Sequence, residues 1–112
     1  MRTKDYTVRM SNIHPSITWA IFEIDYTVRN FLGYEGVITS GNDYDGHVEG
    51  SRHYSGMAFG LRTWTSETSG IQLSHETKVT FRDILFDLLG SNFRILVEDT
   101  HLHIEYRPNE PT

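Results

Sequence analysis

Apolar positions recur along this chain with two different periods. Ile17, Ala20, Ile21, Ile24, Val28 and Phe31 fall three or four residues apart, which lays them along one side of a helix. His14-Pro15-Ser16 carries start signals before that run and Gly33 a stop after it, so a helix is predicted from about Ser16 to Leu32. A second helix is predicted after Ser74, a residue type suited to cap it, with Val79, Ile84, Leu85, Leu88 and Leu89 on its inner side and Gly90 at its end.

Elsewhere the period is two, as in strands. Tyr6, Val8 and Met10 alternate with polar residues and predict a short strand. Val37 and Ile38 predict a buried one. Met57, Phe59 and Leu61 alternate with Ala58, Gly60 and Arg62, the bulky set turned to the core. Phe93 to Val97 and His101 to Tyr106 read as two strands joined by a tight turn. In the second, Leu102, Ile104 and Tyr106 face one way and His101, His103 and Glu105 the other. The Gly- and Asp-rich stretch from Ser40 to Gly50 and the polar stretch from Thr65 to Gly70 read as loops, and the tail from Pro108 as frayed. Asp-Tyr-Thr-Val-Arg occurs at both Asp5 and Asp25, but the match stops at both ends and is read as coincidence. The elements combine two main helices with several short strands.

At 112 residues the chain is read as a single domain, residues 1–112, large enough to bury a modest core. It has no cysteine, so disulfides and thiolate metal sites are excluded and any metal must be held by His, Asp or Glu. A net charge of −5 argues against nucleic-acid binding through phosphate contacts. No apolar run reaches the ~18 residues of a membrane span. Polar residues follow Met1-Arg2-Thr3-Lys4-Asp5, so no signal peptide is expected.

Candidate chemistry rests on the histidines. His101 and His103, two apart on a strand, share a face and could begin a metal site. Alone, such a pair is more often two solvent-facing imidazoles. His53 lies in a Gly-rich segment where backbone can approach a ligand closely. Glu98, at the turn before the pair, could act as a base.

Two segments together carry a resemblance. Residues 51–60, from Ser51-Arg52-His53 through Gly56-Met57-Ala58 to Phe59-Gly60, read S-x-H-x-x-G-x-A-x-G. This resembles the S-x-H-x-x-G-x-A-x-D metal signature of the D-Ala-D-Ala zinc peptidases in every position but the last. Glu98-Asp99-Thr100-His101-Leu102-His103 resembles their second signature. The likeness spans roughly residues 36 to 108. It implies an α+β, hedgehog/D,D-peptidase-like fold, a small antiparallel sheet packed with two main helices, and zinc-assisted hydrolysis of peptidoglycan stem peptides by a monomer resembling the short phage-type members. It implies His53 and His103 as zinc ligands, with His101 the alternative to His103. Glu98 becomes the general base and acid, His101 the group that steadies the oxyanion, and Ser51 and Arg62 substrate contacts.

Gly60 is the departure, because the family's Asp ligand belongs there. Asp43, Asp45 or Glu49 could replace it, or water could fill the gap, or the fold could serve as a peptide- or protein-binding module without catalysis. With ordinary strand dihedrals, an Asp at position 60 is expected to cost little.

Overall fold

Two local caps start the helices. Helix α1 (Pro15–Leu32) begins at His14, whose Nδ1 accepts the Ser16 N–H at 3.1 Å, with Pro15 at the first turn where its missing N–H costs nothing. Gly33 ends it at φ 82°, a left-handed conformation that glycine adopts without strain, and its N–H donates to the Arg29 carbonyl. Helix α2 (His75–Leu89) begins at Ser74, whose hydroxyl accepts the Thr77 N–H. In this computed structural model the described residues are 1–41 and 57–108.

Five strands form one sheet: β1 (Arg2–Thr3), β2 (Val37–Ser40), β3 (Ala58–Arg62), β4 (Phe93–Val97) and β5 (His101–Tyr106), in the order β1-β2-β3-β5-β4. Pairings β2–β3, β3–β5 and β4–β5 are antiparallel, as expected. The β1–β2 pair is parallel, which makes the sheet mixed rather than antiparallel and makes β1–α1–β2 a crossover unit.

The first strand is not where alternation predicts it. Asp5 intervenes: its carboxylate accepts the Thr7 N–H at 2.8 Å and the Thr7 hydroxyl, an Asx-type turn that competes with ladder pairing. Those bonds hold the exposed Asp5 carboxyl below its usual range. The strand therefore sits before the turn, at Arg2–Thr3. Tyr6 is 96% exposed, while Val8 still reaches the core from irregular backbone.

One core fills the space between the helices and one sheet face. Ile17, Ala20, Ile24 and Val28 of α1 meet Phe81, Leu85 and Leu89 of α2 over Phe59, Leu61, Leu102, Ile104 and Ile95 of the sheet. Phe31 and Phe81 stack at 4.4 Å between ring centres and join the two helices. The α2 stripe departs from expectation. Leu85 and Leu89 are buried, Val79 and Ile84 are half-buried, and Leu88 is exposed. Lys78 and Phe81 take the inner places instead, because positions 78, 81, 85 and 89 form the row that faces the sheet. No helix among the described residues is long and apolar enough to cross a membrane.

Candidate functional site

Alternation turns the second face of β3 and β5 away from the helices. The register sets Ala58 opposite Glu105, Gly60 opposite His103 and Arg62 opposite His101. Opposed residues in an antiparallel pair share a face, so these six positions form one patch. On the other side of β5, Arg94 opposes Glu105 and Leu96 opposes His103. The sequence-predicted grouping of His101, His103 and Glu105 on one face is thus realised, with Gly60 directly across from His103.

Glu105 is the patch's buried charge, 6% exposed. Its Oε2 lies 3.6 Å from His103 Nε2, and its Oε1 lies 3.8 Å from Arg94 Nη1 and 3.9 Å from Arg107 Nη1. A carboxylate removed from water needs such partners. At 3.6 Å the Glu105 carboxylate stands beside the His103 imidazole, just beyond hydrogen-bond length. Glu105 had no role in the sequence reading. The available signal was its spacing, two residues beyond His103 on the same strand face.

Gly60 is buried, and its φ lies outside the left-handed range. Space, rather than dihedral, restricts it. A Cβ added there would stand 2.5 Å from Thr39 Oγ1, 2.8 Å from Ser40 Oγ and 3.2 Å from His101 Cδ2. Two hydroxyls from β2 and the His101 ring thus converge on the spot where the resemblance asks for an Asp. The expectation of a cheap Gly60→Asp change is corrected on this ground, because Thr39 is β-branched and its χ1 is stiff.

The β4–β5 turn carries Glu98. Its N–H donates to the His101 carbonyl at 2.9 Å, which extends the ladder by one rung and sets Glu98 across from His101. Glu98 is exposed and His101 half-buried. The Thr100 hydroxyl lies 2.9 Å from His101 Nδ1. Beneath the turn, Lys78 Nζ donates to the Glu98 carbonyl at 3.2 Å and the Asp99 carbonyl at 2.7 Å. Gln72 Nε2 donates to the Thr100 carbonyl at 3.3 Å, and Gln72 Oε1 accepts from the buried Thr63 hydroxyl. Arg62 lies with its guanidinium 3.8 Å over the Trp64 ring, a cation–π contact at the end of β3.

His53 and Ser51, and the alternative carboxylates Asp43, Asp45 and Glu49, lie outside the described residues. Among the described residues no three His, Asp or Glu side chains gather as metal donors. The donor chemistry present, two imidazoles with a carboxylate behind one, suits zinc in kind but falls one donor short of the usual catalytic set. Compared with known proteins, the chain matches no family model, no curated protein and no solved structure.

Proposed function

We propose that this chain is a metallopeptidase-like domain of the D-Ala-D-Ala kind, acting on peptidoglycan stem peptides with a metal set weakened at position 60. The observation that carries the reading is the register of β3 on β5: Gly60, at the family's Asp position, faces His103, and Glu105 backs that histidine. In this reading His53 and His103 hold zinc, which when bound polarises water and the scissile carbonyl. Glu98 takes the proton from the attacking water and returns it to the leaving amine. His101 donates to the developing oxyanion, and Arg62 with Ser51 holds the peptide.

A second reading is favoured by the crowding at Gly60. With Thr39 and Ser40 hydroxyls in the ligand's place, the patch would serve as a peptide-binding module without hydrolysis.

Zinc titration and cleavage of a D-amino-acid-containing stem peptide separate the two. The enzyme reading expects one zinc per chain, lost in His103→Ala with the fold retained. It also expects about a hundredfold slower turnover in Glu98→Gln, whose amide cannot accept the proton. Peptide binding without zinc or turnover establishes the module instead. A chain that takes up neither zinc nor peptide removes both readings.

A further inference from the structure

Lys78 is placed against two preferences. It is 4% exposed, on the α2 row otherwise made of Phe81, Leu85 and Leu89, where an apolar residue would pack at no electrostatic cost. It also stands in the opening turns of α2, the end of a helix at which positive charge is unfavourable. Long cationic side chains are retained in such places when their donors hold something.

What the ammonium holds is the turn between β4 and β5. The Glu98 and Asp99 carbonyls accept from Lys78 Nζ, and the next carbonyl, that of Thr100, accepts from Gln72. Three successive turn carbonyls are therefore tied to side chains from outside the hairpin. The residue that opens this turn is Glu98, and the one that follows it is His101, with the Thr100 hydroxyl against its ring. A turn whose carbonyls are all engaged cannot re-orient its peptide planes without breaking hydrogen bonds, two of them charge-assisted.

We infer that Lys78 is a positioning residue. It acts as a tethered cation under the 98–100 turn and thereby sets where Glu98 and His101 stand relative to Gly60 and His103. The catalytic meaning of that placement rests on the proposed function. The clamp itself does not.

The test uses the 112-residue chain and three variants. Lys78→Met keeps the length and removes the donors, Lys78→Arg restores them, and Leu89→Ala destabilises α2 at its far end without touching the turn. If Lys78→Met does not fold, Lys78→Gln, which keeps a shorter donor, takes its place. Lys78→Met is expected to speed exchange of the Glu98 amide about tenfold beyond the change in Leu89→Ala, and to move the His101 ring nitrogen resonances. On a stem peptide its kcat falls about tenfold with KM nearly unchanged, whereas Leu89→Ala keeps both, and Lys78→Arg recovers most of the loss. Glu98 exchange and His101 resonances equal to those of Leu89→Ala would overturn the proposal, and so would a loss of kcat in Leu89→Ala equal to that in Lys78→Met. If the unmodified chain cleaves no peptide, the functional reading falls, while the exchange and ring signals still decide the clamp.

Discussion

Gly60 shows how far a residue can be read from a sequence and where reading stops. Alternation along 57–62 places it on the face away from the core, and the structure puts it there, opposite His103. Its neighbours from β2 were not legible. Thr39 and Ser40 reach it through a pairing that shifts register between Ile38 and Ser40, and no local pattern encodes such a shift. Gly60→Asp is therefore expected to lower stability by about 1–3 kcal/mol, the usual cost of overpacking. Thr39→Ala in the same chain should recover part of that loss by removing the nearest atom. If the proposed function holds, the double variant should bind zinc at least about tenfold tighter than the unmodified chain, ~1.4 kcal/mol. Denaturation curves and zinc titrations on the three proteins check both statements. A Gly60→Asp chain as stable as the original would show that the hydroxyls move aside freely.

At the scale of elements, the long periodic segments were legible, and of the short ones β2 and β3 lie where their apolar runs predict them while β1 does not. Both main helices and the β4–β5 hairpin follow their periods because each buries several side chains along one stripe or face. β1 was misplaced, since two residues cannot display a period and the Asp5 turn captures the alternating stretch after it. The inner row of α2 was legible at Leu85 and Leu89 but not at Lys78 and Phe81, because a lysine breaks the apolar pattern. One tie between elements has a pH signature. Tyr34, just past α1, donates its hydroxyl to the Trp64 carbonyl at 2.7 Å beyond the end of β3. Burial raises its pKa above the ordinary 10.0, partly offset by the nearby Arg62 charge. The folded state thus holds this proton more tightly than the unfolded chain. That contribution is full below pH ~10 and fades as pH rises through the folded value. Tyr34→Phe should cost about 1 kcal/mol at neutral pH, the worth of one hydrogen bond, and make the decline in stability above pH ~10 shallower. Urea midpoints from pH ~8 to ~11 measure both. An unchanged alkaline slope would mean that Tyr34 does not titrate with unfolding.

For the whole molecule, the sheet is a partition. Helices and core occupy one face, while Ala58, Gly60 and Glu105 are buried on the other, and β3 and β5 present residues to each in turn. Burial on the second face escaped the sequence reading, because H-x-H-x-E alternation resembles a solvent-facing strand. The partition predicts how perturbations combine. Phe81, stacked on Phe31 between the helices, belongs to the core face, and His103, paired with Glu105, to the other. Phe81→Leu should cost about 1 kcal/mol as a size-reducing core exchange. His103→Ala should cost a comparable amount, because it takes one partner from a buried carboxylate. Phe81 on the helix side and His103 on the far face have the sheet backbone between them, so the two losses are expected to add within about 0.5 kcal/mol. His103→Ala and Glu105→Gln act on one contact, an imidazole 3.6 Å from a buried carboxylate, so their combination should depart from additivity by more than that, about 0.5–3 kcal/mol. Two double-mutant cycles in urea supply both numbers. Strong coupling across the sheet, or none within the His103–Glu105 pair, would show that the two faces are not the independent layers that the strand alternation describes.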